Sequence, residues 1–243
     1  MSKSTLKTSQ ELLSISYNPD TKYEISLDEV GRGPLFGRVY VAAVVLPKDG
    51  SFDGKNIKDS KKFSSKKKMK EVAEYIQTHA LFWDIQYVDA DTIDDINILQ
   101  SVFKCMHNCI HSVITKILEI ESVNPDFVAK DHITIVIDGD RYKPYCIFNE
   151  VSNTLEEIPS VTVLQGDSKY IAIAAASIIA KVAHDEYIFD LCNQYPLLDE
   201  RYHLSKNVGY GTKQHFDGIL QYGITQWHRK TFGICRTATY SPI

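Results

Sequence analysis

Three apolar runs of strand length in this chain each lead straight to an acidic residue, and that repeated junction constrains the fold more than any other feature. Tyr23 to Asp28 ends on Asp28 and Glu29, ITIVI at 133–137 delivers Asp138, and Val161 to Leu164 is followed by Gln165, Gly166 and Asp167. Strand ends are where α/β sheets usually place their sites. Such strands, assembled, would gather Asp28, Glu29, Asp138 and Asp167 into one negative cluster, which is unfavourable unless cations occupy it. Carboxylates are hard oxygen ligands suited to Mg²⁺ or Mn²⁺. Two such ions roughly 3.5–4 Å apart hold the attacking and leaving oxygens in phosphodiester hydrolysis. That chemistry needs no catalytic histidine.

The remaining pattern supplies the rest of an α/β domain with a mixed sheet. Val39 to Leu46, bounded by Gly37 and Pro47, reads as a buried strand, and Leu81 to Val88 as another. Ser64 or Ser65 caps a predicted helix running towards Thr78, apolar at Met69, Val72, Ala73 and Ile76. A long helical period spans about 96 to 120, a second helix runs from Ile171 to about Leu191, and a third from Thr212 to Gln221 stops at Gly223. Residues 1–20 lack periodicity and read as a loose lead-in, 21–195 as the main domain, and 196–243 as a helical appendage.

Bulk properties narrow the function. The 243 residues are 44% hydrophobic, enough for a substantial core. A formal net charge of -4 argues against coating nucleic acid through global positive charge, although a local basic patch still steers a polyanion. Five irregularly spaced cysteines suit free thiols in a reducing compartment. The amino terminus lacks the apolar core of a secretory signal, and the longest apolar stretch is far short of the ~20 residues that span a bilayer. The expectation is an intracellular, cytoplasmic monomer without a membrane partner.

Within Asp28-Glu29-Val30-Gly31-Arg32-Gly33, the glycines let backbone N–H groups approach an anion, and Arg32 adds a guanidinium suited to phosphate. The hexapeptide alone reads equally well as a strand–turn–strand link with solvated charges. Lys61 and Lys62, in the loop of a lysine-rich stretch from Lys55 to Lys70, are candidates for phosphate contacts, and the lysines on the following helix for a solvated face. Asp185 is a candidate accessory acid, facing either the cluster or solvent, while Asp140 reads as a turn residue. Asp89, Asp91, Asp94 and Asp95 surround a helix start, where capping and the helix dipole account for them. Cys105, His107, Cys109 and His111 fall on two faces of one helix and cannot close a zinc tetrahedron. No P-loop, nucleophile elbow or dinucleotide fingerprint is present.

The DEVGRG block resembles the amino-terminal signature of ribonuclease HII, and four further blocks follow in that family's order. They are DSKKF at 59–63, IDG at 137–139, GDSKYIAIAAASIIAKVAHDEY at 166–187, and GYGTKQH at 209–215 leading to HRKTF at 228–232. The resemblance covers most of the chain from about Tyr23 to Phe232. It implies a ribonuclease H-like mixed five-stranded sheet flanked by helices, with a carboxy-terminal helical extension. It also implies a four-carboxylate site at Asp28, Glu29, Asp138 and Asp167, using two Mg²⁺ or Mn²⁺ ions. Gly31, Arg32 and Gly33 would contact the backbone around a ribonucleotide and its 2′-hydroxyl, and Tyr210 would pack on the sugar of the following deoxynucleotide. The implied substrates are RNA–DNA hybrids and duplex DNA containing ribonucleotides, cut on the 5′ side of the ribonucleotide. His184, where the family usually carries arginine, and Phe36 and Arg38, just after the signature, depart from the pattern, and 120–133 is longer than a minimal member requires. No carboxy-terminal sliding-clamp peptide is recognisable. The competing expectations are a ribonuclease HIII or DNA resolvase, against which the intact GRG turn and Tyr210 speak, and a non-catalytic hybrid-binding protein.

Overall fold

The structure, a computed structural model, describes residues 13–58, 60, 63, 65–149 and 153–243. Strands β1 (Tyr23–Val30) and β2 (Val39–Val45) precede helix α1 (Lys66–His79), strand β3 (Phe82–Val88) and helices α2 (Ala90–Ile96) and α3 (Ile98–Glu121). A short helix α4 (Ala129–His132) leads into β4 (Ile133–Asp138), a hairpin of β5 (Cys146–Asn149) and β6 (Thr154–Glu157), and β7 (Ser160–Val163). The chain ends in α5 (Ile171–Gln194), α6 (Pro196–Tyr202), α7 (Leu204–Asn207) and α8 (Lys213–Tyr222).

The main sheet has the order β3-β2-β1-β4-β7. β2 runs antiparallel to both β1 and β3, whereas β4 is parallel to β1 and to β7. This is the expected mixed five-stranded sheet. Alternation along the strands divides the residues between two layers. Ile25 and Leu27 of β1, Val41 and Ala43 of β2, and Ile135 and Ile137 of β4 face α3, where Val102, Met106, Ile110, Val113 and Ile117 cover them. Tyr40, Ala42 and Val44 face the other layer, built from α1 and the alanine-rich start of α5. Five buried alanines between Ala172 and Ala180 present almost no side chain, which lets α5 approach the sheet closely, and β1 passes beneath it.

Several expectations need correction. The long helix expected from about 96 to 120 is the single helix α3, Ile98–Glu121, and only its start shifts: Asn97 at φ 67° ends α2 after Ile96, while its side chain accepts from the Leu99 and Gln100 amides and starts α3. The acids at 89–94 do surround a helix start, with Asp89 at the N-cap position of α2 and Asp91 in its first turn, but two of them are bonded elsewhere. Asp89 makes no cap hydrogen bond, pairing instead with Arg38 at 2.6 Å, and Asp94 receives the Lys230 and Thr231 amides. The hairpin β5–β6 went unread because its strands are short and half exposed, without a buried face. Residues 13–20, read as part of a loose lead-in, are tied down: Ser14 pairs with Tyr170, and buried Glu24 accepts the Tyr17 and Asn18 amides.

Ser65 caps α1 as expected, accepting from the Lys68 amide; Ser64 lies outside the described residues. All five cysteines are free, and Cys105 and Cys109 lie in the core while His107 and His111 bond outward to Lys143 and Tyr145. No helix among the described residues is long and apolar enough to cross a membrane. The segment from 196 onward packs Leu198, Tyr202, Leu204, Ile219, Ile224 and Cys235 against Leu35, Phe36, Ile188 and Leu191. It is therefore built directly on the turn after β1 and on the end of α5.

Candidate active site

Register places the acids together. The β1–β4 pairing matches Leu27 with Ile137, so Asp28 and Asp138 follow at the adjacent ends of two parallel strands and, by alternation, on the α5 face. β7 pairs Val163 with Asp138, and one 3₁₀ turn later, at Gly166–Ser168, comes Asp167. The Gly166 amide donates to Asp138 Oδ1 at 2.6 Å, which ties that carboxylate to the turn carrying Asp167. Asp28 and Asp167 are both buried, while Glu29 and Asp138 are partly exposed.

The four carboxylates act on one another's charge. Burial pushes the Asp28 carboxyl well above the ordinary carboxylate range, and the charges of Glu29, Asp138 and Asp167 push it further. A hydrogen bond from Ser177 of α5 opposes the shift, and Ser177 Oγ lies 3.0 Å from Ser60 Oγ. Glu29 is likewise raised, first by burial and also by Asp138, against the pull of Arg32, whose Nη1 donates to Glu29 Oε1 at 3.1 Å. Among the described residues no three Asp, Glu, His or Cys side chains form a ready metal shell. What they form is a like-charged cluster of hard oxygens, and its mutual repulsion is relieved by a divalent cation. The donor set therefore fits Mg²⁺ or Mn²⁺.

Asp185 bonds to Lys181 and His184, its neighbours on α5. Burial raises its pKa, but His184 and Lys181 outweigh burial and hold it below the usual value. Lys181 Nζ and His184 Nδ1 both reach Asp185 Oδ1, at 2.7 and 2.9 Å. Asp185 thus orients His184, whose Nε2 is buried without a hydrogen-bond partner. The ring packs under the signature turn: a Cβ on Gly31 would stand 2.8 Å from His184 Cδ2 and 2.8 Å from the Arg38 carbonyl, at φ +92°. Only glycine fits there. Arg38 is held between the rings of Tyr87 and Tyr187, 3.8 and 4.2 Å from their centroids. Two of the three departures from the family pattern, His184 and Arg38, thus pack against or beside the signature turn.

The other candidates divide. Gly31, Arg32 and Gly33 form one turn at the rim of the cluster, and Tyr210 stands beside it, since a Cβ on Gly33 would lie 3.5 Å from Tyr210 Cε1. Tyr210 is 41% exposed. Lys61 and Lys62 lie outside the described residues. Asp140 is exposed at a bend after β4, in keeping with a turn role.

Arg229 is what sequence reasoning missed. It is fully buried, and its guanidinium donates to the carbonyls of Gly31, Arg32 and Gly37 at 2.6, 3.0 and 3.0 Å. Burial pulls its pKa down to about 10, which leaves it charged at neutral pH. The HRKTF block signals this residue, but nothing local in the sequence says that it reaches back to the turn.

Residues 25–235 match the sequence model of the family described as Ribonuclease HII. A relative named Ribonuclease HII, from Parabacteroides distasonis, is 38% identical over 218 residues, covering 90% of this chain and 94% of the relative. Among solved structures, ribonuclease H2 from Pyrococcus horikoshii OT3 superposes with a TM-score of 0.57 at 19% identity, covering 88% of this chain and 95% of that one. A Bst-RNase HIII structure in complex with Mn²⁺ superposes at a TM-score of 0.53 and 17% identity, over 87% of this chain and 71% of that one. These two likenesses concern the fold.

Proposed function

The chain belongs to the ribonuclease HII family and is a metal-dependent ribonuclease, and from that premise we propose that it cuts the RNA strand of RNA–DNA hybrids and nicks duplex DNA on the 5′ side of embedded ribonucleotides. The observation that carries the reading is the adjacency of two assemblies: the cluster of Asp28, Glu29, Asp138 and Asp167, and the turn Gly31-Arg32-Gly33 with Tyr210 beside it.

The four carboxylates are proposed to hold two Mg²⁺ or Mn²⁺ ions. Bound divalent ions supply a reactive water at neutral pH and charge stabilisation for the leaving oxygen. Asp28, the most buried of the strand-end acids, is fixed by Ser177 and by the Glu29 amide, which donates to Oδ1 at 2.7 Å. Asp138 is fixed by the Gly166 amide. Carboxylates fixed in this way would hold the ions, and with them the scissile phosphate, in one orientation, the condition under which positioning contributes most to rate. Cleavage of the bond between the phosphate and the preceding O3′ leaves a 3′-hydroxyl and a 5′-phosphate.

Selection of the cut falls to the neighbouring turn. Its exposed backbone and Arg32 are proposed to read the 2′-hydroxyl and adjacent phosphate, the features by which RNA differs from DNA at a given site. The half-exposed Tyr210 ring is proposed to pack on the following deoxyribose. Lys61 and Lys62 add phosphate contacts in this reading, and Asp185 acts through His184 on the turn. The proposed working unit is a cytoplasmic monomer, residues 21–195 forming the catalytic domain and 196–243 the extension. Ribonucleotide removal from DNA is the proposed setting, and a clamp-binding peptide is no part of it.

The deciding assay uses an end-labelled DNA duplex with one ribonucleotide beside all-DNA and RNA–DNA duplexes, with Mg²⁺, Mn²⁺ or chelator. A metal-dependent cut on the 5′ side of the single ribonucleotide, absent from all-DNA, is expected. Cutting of the long hybrid alone would remove the junction role from the GRG turn and Tyr210.

A further inference from the structure

Two histidines outside the acidic cluster stand face to face in the interior. His215 and His228 are both fully buried, and their Nε2 atoms lie 3.2 Å apart. Two ring nitrogens at that distance share one proton, so one donates and the other accepts. Their neighbours decide which. The Thr225 amide donates to His228 Nδ1 at 3.0 Å, so that nitrogen is bare and a neutral His228 carries its proton on Nε2. His228 Nε2 therefore donates to His215 Nε2. The His215 proton is left on Nδ1, where it donates to the Tyr210 carbonyl at 3.0 Å. Burial holds both rings below the ordinary histidine range, which keeps them neutral. The relay from Thr225 to Tyr210 thus has a single proton arrangement.

The segment that anchors this relay also grips the signature turn. The Gly37 amide donates to the Trp227 carbonyl at 2.8 Å, His228 bridges to Phe36, and the Arg229 amide reaches the Leu35 carbonyl at 2.8 Å. The Leu35 amide in turn donates to the Gly209 carbonyl at 2.9 Å. Residues 225–229 therefore touch both assemblies that meet at the Gly33–Tyr210 contact. The Tyr210 carbonyl is pinned from two sides, by His215 and by the Thr212 amide at 2.9 Å.

We propose that His215 and His228 are positioning residues for junction recognition, their hydrogen-bonded pair setting Tyr210 against the GRG turn. The proposal rests on the reading that this turn and Tyr210 contact the substrate. Neither histidine reaches the acidic cluster through any contact given above, so the bond-breaking step itself does not depend on them. They act on where Tyr210 sits, and misplacement by a fraction of an ångström is enough to weaken a sugar contact.

The test compares kcat/KM for a single-ribonucleotide duplex with that for a long RNA–DNA hybrid, in Mg²⁺, for the full chain and its variants. His215→Leu removes the donor to Tyr210 and should depress the ratio roughly ten-fold. His215→Asn keeps an N–H near the Nδ1 position and should restore most of it. In a Tyr210→Ala background, His215→Leu should change the ratio no further. Equal losses on both substrates, or no difference between His215→Asn and His215→Leu, would overturn the positioning role. If Tyr210→Ala itself leaves the ratio unchanged, the substrate role of Tyr210 fails and the proposal falls with it. If only the histidine variants leave it unchanged, the relay alone fails. Long-range ¹H–¹⁵N spectra of the imidazoles supply a readout independent of substrate. They should show His228 protonated on Nε2 and His215 on Nδ1, and any other pair of tautomers, or a charged ring at neutral pH, would overturn the relay even if the variants lose activity.

Discussion

The guanidinium of Arg229 meets the carbonyl of Gly31 at 2.6 Å across 198 residues of sequence, and the same side chain holds the carbonyls of Arg32 and Gly37. A buried positive fork bonded to three backbone oxygens fixes the turn without touching substrate. Arg229→Lys keeps the charge but loses the fork, leaving at least one buried carbonyl unpaired. A cost of about 2 kcal/mol is expected, or a fall in Tm of roughly 4–8 °C for a chain of this size. Calorimetry checks it. A variant as stable as the parent would mean that the three bonds are dispensable.

Asp28→Asn separates catalysis from stability. The carboxyl is buried beside three others of the same sign, so its charge costs stability when no cation is bound. In chelator the Asn variant is expected to melt a few degrees higher than the parent, about 1–2 kcal/mol, while turnover is abolished and duplex binding retained. Near-parental cleavage would remove Asp28 from the site. A lower melting temperature in chelator would contradict the repulsion argument.

Gly31→Ala and Gly139→Ala form a matched pair. Both glycines adopt positive φ, +92° and +100°, so an alanine at either costs about 1–2 kcal/mol of backbone strain. Only at Gly31 does the added methyl also collide with the Arg38 backbone and His184, whereas nothing lies within 4 Å of a Cβ on Gly139. Gly31→Ala should therefore lose activity on every ribonucleotide-containing substrate by roughly a hundred-fold and destabilise more than Gly139→Ala. Equal melting temperatures for the two would show that the turn yields to the methyl.

Acid should weaken the fold through its buried histidines. His184, His215 and His228 all have folded pKa values held below the ordinary value, chiefly by burial. A group lowered in this way contributes stability that is present above about pH 6.5 and is lost as pH falls through the folded value, because the unfolded chain takes up the proton first. The raised acids Asp28 and Glu29 act in the opposite sense, gaining stability as they protonate. The measurement is thus cleaner in Asp28→Asn. Between pH 7.5 and 5 its Tm should fall, with a limiting slope of about 1.4 kcal/mol per pH unit for each proton taken up. A flat profile would mean that the histidines are not held neutral by the fold.

Much of this arrangement was legible locally. Each acid followed an apolar run, and the run needed only its own composition to be read as a strand. That Asp28 and Asp138 share one face beneath the helix from Ile171 comes from the β1–β4 register and not from any local pattern. The hairpin at 146–157 escaped because neither of its strands has a buried face to give it a pattern. At the long helix only the starting residue escaped, because apolar periodicity continues across Asn97 while its backbone turns to φ 67°.

The strands of the main sheet, the acids that follow them and hence the chemistry of the cluster were legible before folding, because they depend on residues close together in the chain. The sequence by itself could not determine which distant side chains hold the selecting turn in place. Arg229 and His228 lie in HRKTF and His215 in GYGTKQH, and nothing local in either block names their partners. They become structural only when the segment after α5 folds back onto Leu35 and Phe36 and excludes water. In that dry interior an unpaired carbonyl or ring nitrogen is costly, so the long-range partners become obligatory, and only tertiary structure reveals them.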